Sequence, residues 1–264
     1  MSYPSEPFPA VMPQPASGQT ELLSAVLSSP QDCALFLDID GTLLDLAAVP
    51  DAIVMPPSLP AALYAASRRL GGALALVTGR ALAYADELFA PFRFPIAGLH
   101  GAELRWPDGS IMKAETTAAF EALKAELRAA TENLQGVLVE DKGAAVAAHY
   151  RLAPQRQADV ELIMERLQSK VGPNWTLQRG KMVLEIRPAS ADKGHAVETF
   201  LSMPPFAGRR PIAIGDDVTD EAMFRVANRF GGHSVRVGPS SDTAAILALP
   251  SSSAVRELIG QLAV

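Results

Sequence analysis

The feature that most constrains this chain is a set of short, uninterrupted apolar runs, each stopped by a polar cluster. Ala34-Leu35-Phe36-Leu37 stops at Asp38, and Ala73-Leu74-Ala75-Leu76-Val77 stops at Thr78-Gly79-Arg80. Pro211-Ile212-Ala213-Ile214 stops at Gly215-Asp216-Asp217, and Ile96-Ala97-Gly98 and Val235-Arg236-Val237-Gly238 are shorter members of the set. A run that is apolar at nearly every position and too short for a helix fits a strand covered on both faces. Helical apolar spacing lies between the runs, over 59–70, 81–89 and 220–227, and earlier over 20–27 with Thr20 as its N-cap. The alternation predicts an α/β fold with a doubly wound, Rossmann-like parallel sheet. In such a sheet ligands bind beyond the carboxyl ends of the strands, where these polar clusters fall.

Residues 107–187 break the pattern. Phe120, Leu123, Leu127 and Leu134 recur at helical spacing, as do Val160, Ile163, Leu167 and Val171. The segments 137–140, 146–150 and 182–187 alternate instead, which predicts antiparallel strands with one exposed face. A small α+β module is therefore expected at 107–187, inserted into a discontinuous core of 20–106 and 188–264. Residues 1–19 carry five prolines and read as a flexible tail. The 264 residues, at roughly 150 per domain, are consistent with one large domain or two modest ones.

Composition excludes several classes. With 23 basic and 29 acidic residues the net charge is −6, so nucleic acid is not an expected partner. The single cysteine, Cys33, excludes an internal disulfide and a Cys-rich zinc site, and it reads as a buried core residue. Neither a secretory leader nor a run of roughly 20 apolar residues is visible, so a cytoplasmic monomer without membrane association is expected.

Four clusters carry chemistry. In Asp38-Ile39-Asp40-Gly41-Thr42, residues i and i+2 of an extended segment face the same side, so two carboxylates share one small volume. Asp216, Asp217, Asp220 and Glu221 crowd four more into six residues, which asks for a cation. Asp216 is nearest the strand end, and an oxygen-only donor set favours Mg²⁺ over zinc. Thr78-Gly79-Arg80 offers a hydroxyl and backbone N–H groups as an anion seat. Lys193, in Asp192-Lys193-Gly194, offers a cation at the start of a helix.

The order DxDGT, Thr, Lys, GDD resembles the haloacid dehalogenase-like phosphatases over nearly the whole chain after residue 30. The resemblance implies that Asp38 is a nucleophile forming an aspartyl-phosphate and that Asp40 is the general acid and base. It implies that Thr78 and Lys193 hold the phosphoryl group. Mg²⁺ would be held by Asp38, the Asp40 carbonyl and Asp216, with Asp217 or Asp220 in support. The inserted module resembles a type-2 cap. Gly98-Leu99-His100-Gly101-Ala102-Glu103-Leu104-Arg105 is similar to a segment of the trehalose-6-phosphate phosphatases.

That likeness implies trehalose 6-phosphate as substrate. Gly79, Arg80, His100, Gly101, Glu103 and Arg105 would line the cleft. Glu140, Lys142, Glu185 and Arg187 would face the substrate from the cap, the first three bonding sugar hydroxyls. Alternatives on the same fold are a sucrose-phosphate or mannosyl-phosphoglycerate phosphatase, a phosphomannomutase, and a non-catalytic sugar-phosphate sensor. The sensor would be expected to lack Asp38 or Asp40, and both are present.

Overall fold

The computed structural model describes residues 15–46, 54–180, 182–240 and 242–264. The chain divides into two compact units, one of residues up to Leu74 and from Leu201 onward, the other Ala75–Phe200.

The first unit opens with α1 (Pro15–Ser28), β1 (Cys33–Leu37) and α2 (Leu59–Arg69), and the chain leaves it within β2 (Leu74–Val77). Residues 1–14 of the expected tail lie outside the described residues. Helix α1 starts five residues before the expected Thr20, and Pro15 suits a first turn, where no backbone N–H is needed.

The second unit continues with α3 (Leu82–Leu88), β3 (Ile96–Gly98), β4 (Glu103–Arg105), β5 (Ile111–Lys113) and α4 (Ala118–Thr131). It goes on through β6 (Leu138–Asp141), β7 (Val146–His149), α5 (Gln157–Val171), β8 (Trp175–Gly180), β9 (Val183–Pro188) and α6 (Lys193–Leu201). The chain then returns to the first unit with β10 (Arg210–Gly215), α7 (Glu221–Arg229), β11 (His233–Val237), β12 (Leu247–Leu249) and α8 (Ser252–Leu262).

In the first unit β1 pairs parallel with β10, β10 with β11, and β11 with β12. Every residue of β1 is buried, as is every residue of β10 after Arg210, which is why these runs are apolar throughout. Cys33 is a buried free thiol within this layer. The fold is the expected mixed α/β type with a parallel sheet and helices.

In the second unit β2 and β3 are parallel, and β4 and β5 add antiparallel strands beyond them. A separate antiparallel sheet runs in the order β6-β7-β9-β8. One face of that sheet presents Val146, Ala148, Trp175, Leu184 and Ile186 to Phe120, Leu123 and Leu127 of α4 and to Val160, Met164 and Leu167 of α5. The Phe120 and Trp175 rings stack at 3.6 Å between centroids. Helix α4 begins where the Thr117 hydroxyl accepts the Phe120 N–H at 3.1 Å.

The register sets Glu140 opposite Ala147, Ala147 opposite Glu185, and Glu185 opposite Gln178. With side chains alternating, these four share the face opposite the apolar core. Beside the sheet, Leu99 and Ala102 pack within the same unit against Ala144, just before β7, and Ala191, just after β9. Among the described residues no helix is long and apolar enough to cross a membrane.

Candidate active site

The first unit builds an acidic centre at the ends of two adjacent strands. Asp38 follows β1 directly, is buried, and donates its backbone N–H to the Ile214 carbonyl at 3.0 Å. The chain then turns sharply, with the Leu43 and Leu44 N–H groups both on the Ile39 carbonyl at 2.9 Å. Gly41 has φ +81°, and a Cβ there would lie 2.1 Å from the Asp216 Oδ2, so only glycine admits Asp216. The buried Thr42 hydroxyl donates to the Asp216 Oδ1 at 3.3 Å. Helix α8 pins the loop from behind, with the Ser252 hydroxyl on the Gly41 carbonyl at 2.9 Å and Arg256 on the Leu43 carbonyl at 3.0 Å.

From β10 come Gly215 and the half-buried Asp216. Asp220 is fully buried, and its Oδ2 accepts the N–H groups of Asp216 and Asp217, each at 2.9 Å. The Asp217 side chain accepts the Asp220 N–H in return, completing a capping box, and Asp217 itself is exposed. Asp38, Asp216 and Asp220 each offer one carboxylate oxygen, all within 4.8 Å of one another. At that spacing like charges repel by roughly 3–4 kcal/mol per pair for an effective dielectric of about 20. An all-oxygen donor set of this compactness fits a hard divalent cation. Of the two supporting candidates left open by the sequence, Asp220 is the member of the acidic group, while the Asp217 side chain caps a turn. Asp40 is half-buried, two residues beyond Asp38.

The second unit gathers cations. Thr78 follows β2, is fully buried, donates its N–H to the Ala97 carbonyl at 2.8 Å, and accepts the His100 N–H at 2.9 Å. Its hydroxyl accepts the Arg80 N–H at 3.1 Å, and the Arg80 guanidinium lies 4.3 Å over the Tyr84 ring. Gly79 is required because a Cβ would meet the His100 ring at 2.7 Å. Lys193 is buried at the start of α6, a helix capped by the Asp192 Oδ1, which accepts the Gly194 and His195 N–H groups.

His100 and Gly101 occupy the turn between β3 and β4, with His100 at φ +59° and buried. Burial, reinforced by the charges of Lys193, Arg187 and Lys142, pushes the His100 pKa well below its ordinary 6.5. The ring is therefore neutral, and its 4.0 Å approach to Glu185 is not an ion pair. Its Nδ1 is buried without a hydrogen-bond partner among the described residues.

Glu185 is buried, and its Oε2 receives the Lys142 ammonium at 3.2 Å while its Oε1 is buried with no hydrogen-bond partner among the described residues. Arg187 donates to the Gln178 Oε1 at 2.6 Å. Glu140 is half exposed and pairs with His149 at 2.8 Å and Lys142 at 3.9 Å. Two expected cleft residues are fastened to the protein's own groups. Glu103 accepts the Leu82 N–H at 2.7 Å and meets Lys113 at 2.9 Å. Arg105 grips Asp86 through two bonds of 2.6 and 2.8 Å and donates to the Phe94 carbonyl. Both hold the β3–β4 hairpin and the start of α3 in place.

A family model described as trehalose-phosphatase matches residues 36–253, most of the chain. The chain belongs to the trehalose-phosphatase family. It is thereby a phosphoric monoester hydrolase. It is 63% identical over 244 residues to a "Probable trehalose-phosphate phosphatase" of Sinorhizobium fredii, covering 92% of each chain. It is 38% identical over 226 residues to a trehalose-6-phosphate phosphatase of Escherichia coli, covering 85% of each. Its fold matches that of the C-terminal domain of a Candida albicans trehalose-6-phosphate phosphatase with a TM-score of 0.82 at 24% identity, over 97% of this chain and 99% of the other.

Two polar residues of the cap sheet were missed from the sequence. Gln178 lies in β8, whose mixed composition hid the strand. His149 ends β7, where its alternation with Ala147 and Ala145 places it on the polar face.

Proposed function

We propose that the protein hydrolyses trehalose 6-phosphate to trehalose and inorganic phosphate, with Mg²⁺ in the acidic centre. The observation that carries this reading is the convergence of Asp38, Asp216 and Asp220 in a chain of the trehalose-phosphatase family. Those three carboxylates and the Asp40 carbonyl would hold the ion, with Asp217 supporting Asp220 through the capping box. When bound, the ion supplies Lewis-acid neutralisation of the phosphoryl charge.

The remaining work falls to the chain's own groups. An Asp38 carboxylate oxygen attacks phosphorus, the P–O6 bond breaks, and the phosphoryl group moves to Asp38. Asp40 gives its proton to the departing sugar oxygen, then takes one from the water that cleaves the aspartyl-phosphate. Thr78 and Lys193 hold the non-bridging oxygens as charge redistributes. The module over 107–187 acts as the specificity cap. Glu140, Lys142 and Glu185 supply charged hydrogen bonds to sugar hydroxyls, which can both donate and accept.

The test is phosphate release from trehalose 6-phosphate, glucose 6-phosphate and sucrose 6-phosphate, with Mg²⁺ and after chelation. The reading expects strong preference for trehalose 6-phosphate and loss of turnover on chelation. Preference for another sugar phosphate would overturn the substrate assignment.

A further inference from the structure

Within the cap sheet the charged face resolves into two pairs. Lys142 lies 3.2 Å from Glu185 and 3.9 Å from Glu140, so its closer carboxylate is Glu185. Glu140 has its closer partner in His149, whose Nε2 is 2.8 Å from the Glu140 Oε2. The register makes this pairing diagonal: Leu138 faces His149, and Glu140 faces Ala147. Ala147 has no side chain long enough to obstruct the carboxylate, so His149 reaches across from two residues away on the same face.

Glu140 needs such a partner. It lies on β6, an edge strand of its sheet, and is half exposed. A long side chain there is free to change rotamer, and ordering it only when substrate binds would weaken binding. His149 is the less exposed of the two and ends a strand that is otherwise buried. The hydrogen bond from His149 is also the largest influence holding the Glu140 carboxyl below the usual carboxylate range, ahead of the Lys142 charge. Both His149 and Lys142 meet the same oxygen, Oε2, so Oε1 is the one left for a hydroxyl donor. Glu185 shows the same division, with Oε2 tied to Lys142 and Oε1 unpartnered among the described residues.

We infer that His149 is a positioning residue, holding Glu140 by one oxygen so that the other is presented to a sugar hydroxyl. The inference rests on the functional reading above, in which Glu140 binds sugar. It makes His149 a determinant of sugar recognition and leaves phosphoryl recognition to other residues.

The experiment compares wild type, His149→Ala, His149→Gln, Glu140→Ala and the double variant His149→Ala/Glu140→Ala. Steady-state kinetics on trehalose 6-phosphate would be combined with product inhibition by trehalose and by inorganic phosphate, and with thermal unfolding. His149→Ala is expected to raise KM about 2–10-fold, the cost of ordering one freed side chain on binding, with kcat within about twofold. Inhibition by trehalose should weaken in parallel, whereas inhibition by phosphate should not. His149→Gln keeps an N–H donor and should recover most of the loss. Adding His149→Ala to Glu140→Ala should change little, because the residue to be positioned is gone. A folded His149→Ala with unchanged KM, or losses that simply add in the double variant, would overturn the inference. So would equal weakening of trehalose and phosphate inhibition. A wild type that turns over glucose 6-phosphate as readily as trehalose 6-phosphate would instead overturn the functional reading, before any variant is compared.

Discussion

The acidic centre of the first unit and the cation-rich face of the second solve opposite electrostatic problems. In the first, Asp38, Asp216 and Asp220 bring oxygens within 4.8 Å, and the Asp220 charge is moderated by two backbone N–H groups. In the second, Lys142, Arg187 and Lys193 all act on a buried imidazole that stays neutral, and Glu185 moderates Lys142 and Arg187. The first arrangement invites a divalent cation, and the second invites an anion and hydroxyl groups. Hydrolysis of a sugar phosphate needs both, and neither region offers what the other does.

The contrast is most easily broken from the acidic side. Asp38→Asn is expected to cut phosphate release by about 10⁴-fold or more, as loss of a nucleophile does. The same change relieves roughly 3–4 kcal/mol of repulsion per pair at an effective dielectric of about 20, so metal-free protein should unfold at the same temperature or higher. Unfolding at a markedly lower temperature would mean that Asp38 holds the fold together and that its carboxylate is not strained by its neighbours.

Gly41→Ala tests the geometry without changing a charge. Its Cβ would fall 2.1 Å from the Asp216 Oδ2 at a φ of +81°, so Asp216 must move. Activity at limiting Mg²⁺ should fall by about 10²-fold, with partial recovery at high Mg²⁺, since a displaced ligand weakens binding of the ion. Recovery would be read from a metal titration.

On the cationic side, Glu185→Gln removes the one carboxylate that Lys142 contacts most closely. KM for trehalose 6-phosphate should rise about tenfold, while the stability loss stays modest because Gln retains an acceptor. A kcat collapse with unchanged KM would move Glu185 from sugar recognition to chemistry.

The smallest effect concerns the neutral imidazole. Burial, then Lys193, Arg187 and Lys142, depress the folded-state pKa of His100 below the 6.5 of an exposed ring. As pH falls below 6.5 the unfolded chain takes up this proton before the folded one does. The folded state therefore loses stability below pH 6.5 on account of His100 and gains none above it. His100→Asn, a residue tolerant of the left-handed backbone at this position, should flatten that part of the stability–pH curve in chemical unfolding of metal-free protein.

Much of the fold is written in local sequence. The five apolar runs all form strands, and in β1, β2 and β3 every position is buried, so no polar position blurs the signal. The one-sided strands β6, β7 and β9 were legible from alternation, and the signal fades where strands are short, exposed or mixed. All three residues of β5 are exposed, β12 has only three residues, and β8 mixes Trp175 and Leu177 with Thr176, Gln178 and Arg179.

The acidic centre was legible for a different reason. Crowded carboxylates next to a glycine are costly, and costly groups mark themselves. Arg105 was harder to read. A charged residue in a glycine-rich segment invites a ligand, yet its guanidinium is held by Asp86, nineteen residues away. The Glu140–His149 pair is similarly non-local, since it depends on which residue β7 sets opposite which on β6. Pairings fixed by strand register lie beyond a reading of single segments.

The most direct test of the account is a rapid-quench single turnover with enzyme in excess over trehalose 6-phosphate labelled in its phosphoryl group. The account predicts transient label on the chain, stable to acid and cleaved by hydroxylamine, mapping to the peptide that contains Asp38 and missing from Asp38→Asn. Label passing directly to inorganic phosphate at every quench time, with none on the wild-type chain, would contradict it.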